Sequence, residues 1–285
     1  MVELAPAGAG LLKQGFAGDT FNTAWYLRRE LPASWEVGYV TAVGDDPLSA
    51  QMVAFMEGAG LATRHVRRIP GGTVGLYLIS LERGERSFTY WRGQSAARRL
   101  ADHSETLSAA VRATGWIYFS GITLAILAPE DRERLLHCLR QAKAAGARVV
   151  FDPNLRPRLW PDAGTMCREV LAGAAVSSLV LPSFDEEATW HGDGGVEATL
   201  ARYRSLGVET VVVKNGAGRI EAVSGGRRFH HDPQPVEPVD TTAAGDSFNA
   251  GVLGALANGC ELPEALARGS ALARRVIGGS GALVP

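Results

Sequence analysis

The residues from Asp240 to Gly251, Asp-Thr-Thr-Ala-Ala-Gly-Asp-Ser-Phe-Asn-Ala-Gly, place small side chains and one carboxylate where a helix should begin. The first amides of a helix lack internal partners and carry the positive end of its dipole, and side chains no larger than Ala let a phosphate approach them. Such a start is an anion cradle. Asp246 falls in the first turn, where a carboxylate can accept the proton of a substrate hydroxyl while the amides of Ala243, Ala244 and Gly245 hold the charge developing on a transferred group. The implied chemistry is phosphoryl transfer. On residue types alone, an ordinary capped helix whose small residues serve packing explains the stretch equally well.

The elements that must position this site follow from the surrounding pattern. Pro233 to Pro238 cannot be helical throughout, and the apolar run after the site stops at Asn258-Gly259, so a helix is expected from near Ala243–Asp246 to there. Strand-like runs at Trp35–Val43, Gly115–Ser120, Ala147–Asp152, Ser178–Leu181 and Thr210–Lys214 alternate with helical stretches that end near Gly60, Gly146 and Gly207. That alternation predicts an α/β fold with a mostly parallel central sheet flanked by helices. Between about Thr73 and Arg92 the pattern changes to a hairpin, with Leu76, Leu78, Phe88 and Tyr90 alternating around a polar turn at Glu82-Arg83-Gly84-Glu85. A hairpin with no helix beside it cannot bury both faces in the main sheet, so it is expected to form a β lid over the site.

Arginine placement suggests an anionic substrate. Arg156 follows the strand end at Asp152-Pro153-Asn154, and ligands bind at strand carboxyl ends in open α/β sheets. Arg92 ends the lid hairpin, beside Tyr90. Two guanidiniums and a phenol suit a carboxylate, which arginine holds through paired, charge-assisted hydrogen bonds. Surface ion pairs are the plainer account of both arginines.

With 285 residues and 46% hydrophobic content, the chain can bury one large core. A net charge of -1 argues against a nucleic-acid surface spread over the protein, so a small-molecule partner is expected. Cys138, Cys167 and Cys260 are far apart and unpaired in spacing, which fits a reducing cytoplasm and suggests neither disulfides nor a zinc site. No apolar run approaches the roughly 18 residues of a membrane span, and no export signal opens the sequence. Walker-type, dinucleotide-binding, protein-kinase and hydrolase-elbow motifs are absent from the sequence, and the six histidines show no metal-ligand spacing.

The Asp240–Gly251 stretch resembles the C-terminal signature of the PfkB (ribokinase-like) sugar kinases. Phe16-Ala17-Gly18-Asp19-Thr20-Phe21-Asn22-Thr23-Ala24 resembles that family's sugar-binding motif, with Ala17 where a second glycine is usual, and Val43-Gly44-Asp45-Asp46 resembles its strand-end turn. Within the family the likeness runs to the 2-keto-3-deoxygluconate kinases, through Gly75–Leu78, Tyr90-Trp91-Arg92, Ser120-Gly121-Ile122-Thr123 and Phe151–Trp160. The resemblance covers nearly the whole chain. It implies a single ribokinase-like three-layer α/β/α domain over 1–285 with a lid formed mainly by 73–92. Met1-Val2-Glu3-Leu4 resembles the end of the family's first strand, so about one strand of the main sheet is expected to be missing before Met1, and a misplaced start codon is the simpler account.

The resemblance also assigns roles. Gly18 and Asn22 meet the sugar; Tyr77 covers it, though a core aromatic would read alike; Tyr90, Ile122, Arg92 and Arg156 complete the sugar-acid site. Lys214, Gly216 and Gly218 belong to a loop near ATP phosphates and ribose. Glu186 binds Mg2+ through water, in an Asn-x-x-Glu position where Ser183 replaces asparagine; an exposed acidic helix start would equally explain Asp185, Glu186 and Glu187. Gly281 lines the adenine pocket, and potassium near Asp240 and Thr242 is an option that some relatives use. The activity implied is ATP-dependent phosphorylation of 2-keto-3-deoxygluconate, by a homodimer or higher homo-oligomer associating through the lid, with Asp246 as base. A kinase for a neutral sugar such as fructose or ribose, and a non-catalytic sugar-acid or nucleotide sensor, stand beside it as alternatives.

Overall fold

Val211, Val212 and Val213 set the layering: side chains alternate across a strand, and here 211 and 213 enter one core while 212 enters another. A strand buried on both faces belongs to a sheet with helices on both sides. The computed structural model describes residues 1–82, 85–112 and 114–285. Among them the central sheet has six strands, ordered β12-β11-β10-β9-β8-β7, namely β7 (Trp116–Ser120), β8 (Arg148–Asp152), β9 (Leu179–Val180), β10 (Thr210–Val213), β11 (Ile220–Ser224) and β12 (Arg227–His231). Strands β7 to β10 run parallel, and β11 and β12 add an antiparallel edge. The mostly parallel α/β expectation is borne out.

Helices α3 (Ser104–Arg112), α4 (Gly121–Ile126), α5 (Pro129–Ala144), α6 (Ala163–Ala175), α7 (Phe184–His191) and α8 (Val196–Ser205) bring Leu107, Leu135, Leu139, Met166, Val170 and Leu200 into the core with Val149, Phe151, Val211 and Val213. On the other face α9 (Ala244–Ala257) and α10 (Leu262–Ile277) cover Val150, Leu181 and Val212 with Phe248, Val252 and Leu266. Each such side chain is worth roughly 1.5–3 kcal/mol when fully buried. The helix expected from Ala243–Asp246 to Asn258 is α9, and its glycines also pack: a Cβ on Gly251 would lie 2.8 Å from Gly269 Cα. The packing reading of these small residues therefore holds at Gly251.

The N-terminal part holds α1 (Asp19–Glu30), β3 (Thr41–Val43), α2 (Pro47–Gly58) and β4 (Val66–Arg68). The long strand expected at Trp35–Val43 is only three residues, with Gly38 making an isolated bridge to Ala62. Asp46 caps α2 by accepting from Leu48 N and Ser49 N, with Pro47 at the first helical position. The lid is a second sheet, ordered β2-β1-β5-β6, in which the expected hairpin β5 (Leu76–Glu82) and β6 (Glu85–Trp91) is joined by β1 (Val2–Pro6) and β2 (Leu12–Phe16). Two of the turn residues, Arg83 and Gly84, lie outside the described residues. Val2 to Leu4 pair in parallel with Leu76 to Leu78, so this segment belongs to the lid sheet. Among the described residues, no helix is long and apolar enough to cross a membrane.

Candidate active site

Asp246 occupies the first turn of α9, and its Oδ2 accepts a hydrogen bond from Asn22 Nδ2 at 2.8 Å. Asn22 is held in turn by Gly18, whose amide donates to Asn22 Oδ1 at 3.2 Å; Gly18 precedes α1 with φ 155°, a conformation that a side chain disfavours. Burial, and next the nearby Asp19 carboxylate, push Asp246 up to about 8, while the Asn22 hydrogen bond holds it back. A carboxyl poised near neutrality is suited to proton transfer.

The helix start is strained, because Ala243 adopts the left-handed region at φ 62° although it is not glycine. Ala244 N donates to Thr241 O at 3.2 Å, so the expectation that its amide faces a phosphate is corrected. Among the described residues, the amides of Gly245 and Asp246 have no protein acceptor. Lys214 faces the same start: its Nζ is 3.7 Å from where a Cβ on Gly245 would sit. It is fixed by Asp152 Oδ1 at 3.3 Å and Asn249 Oδ1 at 3.2 Å, while Asn249 Nδ2 donates to Asp152 Oδ2 at 2.8 Å.

One cavity of about 1150 Å³ joins Gly18, Asn22, Tyr77, Tyr90, Arg92, Ile122, Arg156, Ser183, Glu186 and Lys214 to residues 243–246. Gly216, Gly218 and Gly281 are not part of its lining. Gly281 N instead donates to Asp240 Oδ2 at 2.7 Å, and Asp240 Oδ1 accepts from Thr242 N and Oγ1, so the carboxylate singled out for potassium ties the C-terminal segment to the helix start. Arg92 lies over the Tyr90 ring at 4.2 Å. Tyr77 is buried, its hydroxyl donates to Glu3 Oε2, and burial raises its pKa. Arg156 Nη1 pairs with Glu186 Oε1, and Glu186 Oε2 accepts from Leu155 N at 2.9 Å, so the two residues assigned to sugar acid and Mg2+ meet each other. Asn154, at φ 38°, has a buried Oδ1 with no hydrogen-bond partner among the described residues and lines the cavity. Among the described residues, three or more His, Cys, Asp or Glu do not gather in a metal-holding cluster.

Asp19, Ser120, Tyr118, Asp152 and Asn249 were not among the residues expected here. Asp19 accepts from Ser120 Oγ, and Tyr118 OH accepts from Asn249 Nδ2 at 3.0 Å. A signal existed: Ser120 and Asp152 end parallel strands, and Asn249 sits three residues beyond Asp246 on one helix face.

The profile of the pfkB family carbohydrate kinase matches residues 8–285. The chain belongs to the pfkB family. As a pfkB kinase it is 39% identical over 296 aligned residues to the 2-dehydro-3-deoxygluconokinase of Escherichia coli (strain K12), covering 100% of this chain and 94% of that protein. The enzyme of the same name from Dickeya dadantii (strain 3937) is 40% identical over the same shares. Among solved structures, a PfkB protein from Polaromonas sp. JS666 superposes with a TM-score of 0.86 at 27% identity, over 98% of this pfkB chain and 93% of its own.

Proposed function

We propose that this pfkB kinase transfers the γ-phosphoryl group of ATP to the terminal hydroxyl of 2-keto-3-deoxy-D-gluconate, giving the 6-phosphate in the cytoplasm. The observation that carries the reading is the convergence on one cavity of Asp246, the unpaired amides of Gly245 and Asp246, Arg92 and Arg156. Full-length identity of 39–40% to enzymes named 2-dehydro-3-deoxygluconokinase supports the substrate.

Bound ATP-Mg supplies the phosphoryl group and neutralises charge on it. The donor set fits such a ligand, since Lys214, two unpaired amides and the positive end of α9 meet in one place. Magnesium keeps several waters, so Glu186 acting through water, with phosphate oxygens, is enough to hold it. Asp246, oriented by Asn22, takes the proton of the sugar hydroxyl, and the amides of Gly245 and Asp246 hold the charge of the transferring group. Arg92, backed by Tyr90, and the nitrogens of Arg156 not used by Glu186 bind the sugar carboxylate. Lid residues Tyr77 and Tyr90 exclude water. Leu11, Leu12 and Trp91 are exposed on the lid sheet and its turn, which supports a homodimer through that face; sedimentation as a monomer at micromolar concentration would remove it.

One observation favours a neutral sugar instead: the Arg156–Glu186 pair leaves no net charge at that corner. A coupled ATP-consumption assay on 2-keto-3-deoxygluconate, fructose and ribose decides. Strong preference for the sugar acid is expected, and turnover on the neutral sugars alone would discard the carboxylate pocket.

A further inference from the structure

Asp19 lines the cavity from the first turn of α1, yet the phosphoryl transfer proposed above gives it no task. Its Oδ2 accepts from Ser120 Oγ, and that hydroxyl also accepts from Thr123 N at 3.4 Å as the cap of α4. A fully buried serine at the end of β7 thus fixes how the carboxyl points. Among the described residues no cation comes within ion-pair distance of Asp19: Arg156 Nη1 pairs with Glu186, Arg92 lies over the Tyr90 ring, and the Met1 ammonium donates to Ala17 O at 2.9 Å. Burial raises its pKa, while Ser120 and the Thr20 amide hold it back. A carboxylate offers about four acceptor positions, so these two donors leave it able to accept more. Taking such a group out of water is costly until they are filled.

Its place along the cavity says what would fill them. On one side, the start of α1 reaches the base, since Gly18 N donates to Asn22 Oδ1 and Asn22 Nδ2 to Asp246 Oδ2. On the other, Ser120 pairs in register with Asp152, and the chain leaving that strand end carries Arg156 into the cavity. Asp19 is close enough to Asp246, Arg92 and Arg156 for each to feel its charge. A sugar acid with its terminal hydroxyl at Asp246 and its carboxylate at the arginines therefore passes Asp19 with the middle of its chain. In 2-keto-3-deoxygluconate the C3 carbon is a methylene, so the group presented there is the C4 hydroxyl, a hydrogen-bond donor. Inverting C4 turns that donor away and leaves the carboxyl unfilled, a loss that a site built around a hydroxyl registers strongly.

Resting on the sugar-acid reading of the site, we propose that Asp19, oriented by Ser120, accepts the hydrogen bond of the substrate's C4 hydroxyl and sets a preference for 2-keto-3-deoxygluconate over its C4 epimer, 2-keto-3-deoxygalactonate. Ser120 is the positioning residue of the pair.

The test is kcat/KM on both epimers for the wild type, Asp19→Ala and Ser120→Ala, at a pH above the limb set by Asp246. Because the epimers share the phosphorylated hydroxyl and the carboxylate, any effect of Asp19 on the base or the arginines cancels in their ratio. The wild type should favour the gluconate epimer by about 10-fold or more. Asp19→Ala should bring the ratio close to one, by raising KM for the gluconate epimer and leaving the galactonate epimer within a few-fold. Ser120→Ala, which keeps the carboxyl but frees it to rotate, should lower the ratio part of the way, and it carries the test if Asp19→Ala does not fold. A wild-type ratio near one, or a ratio unchanged in the variants, would overturn the role of Asp19 while leaving the sugar-acid reading in place. Turnover of fructose or ribose alone would remove that reading, and this assignment with it.

Discussion

Asn22 and Asp246, 224 positions apart in the sequence, share a 2.8 Å hydrogen bond from Nδ2 to Oδ2, so the start of α1 aims the carboxylate at the start of α9. A general base contributes about 10²–10⁴-fold, and Asp246→Asn keeps the shape while removing the basic oxygen. Its kcat should fall by about 10³-fold with KM for the sugar acid within a few-fold. Asn22→Ala, which frees the carboxylate to rotate, should cost kcat less, about 10-fold. Wild-type-like kcat in Asp246→Asn would sink the base assignment.

The raised pKa of Asp246 has a kinetic consequence. Only the ionised form accepts a proton, so kcat/KM, which reports the free enzyme, should climb with pH and level off above about 8. Removing the Asp19 charge, the second cause of the rise, with Asp19→Asn should shift that limb to lower pH. A pH profile flat from 6 to 9 in the wild type would contradict the burial and charge argument together.

Arg156 and Glu186 should behave as one unit. Arg156→Ala is expected to raise KM for the sugar acid by 10-fold or more, about 1.4 kcal/mol or above, and to leave Glu186 without its ionic partner. Glu186→Gln should chiefly raise the Mg2+ requirement. Because the two side chains touch, the double variant should cost less than the two singles combined. Steady-state kinetics on the four proteins checks this, and strict additivity would mean that the pair does not couple sugar and nucleotide sides.

Much of the architecture was legible because parallel strands announce themselves: Val211-Val212-Val213 and Arg148–Asp152 are short apolar runs before strand-end residues, and Gly146 and Gly207 close the helices before them. The helix start at Asp246 was legible from small residues after a Pro-rich stretch. The lid was half legible. Its hairpin alternates visibly, but β1 and β2 are five-residue strands whose pairing is set by tertiary contact, which no local pattern encodes. Amide partners were not legible either, since Ala244 N turning to Thr241 O depends on the φ of 62° at Ala243. Glu187 shows the same limit most sharply: in sequence it is one of three acids at a helix start, whereas in the fold it is fully buried.

Glu187 carries the final prediction. Its Oε2 accepts from Arg202 Nη2 and its Oε1 from Tyr203 OH, both at 2.8 Å, with Asp193 also on Arg202 and His191 Nε2 at 3.7 Å. Burial pushes the Glu187 carboxyl up to about 7 despite Arg202, from an ordinary value of 4.5. An acid whose folded pKa is raised contributes stability that is present below its unfolded pKa and is lost as pH rises through the folded one. Glu187→Gln keeps the acceptor for Tyr203 and removes that loss, so its stability relative to wild type should improve from pH 5 to about 7 and level off above that. Glu187→Ala, which leaves the Tyr203 hydroxyl without this acceptor and Arg202 to Asp193 alone, should cost about 2 kcal/mol. Urea unfolding at pH 5, 6.5 and 8 measures both; a Gln variant that loses ground as pH rises would reverse the sign and overturn the account of this buried pair.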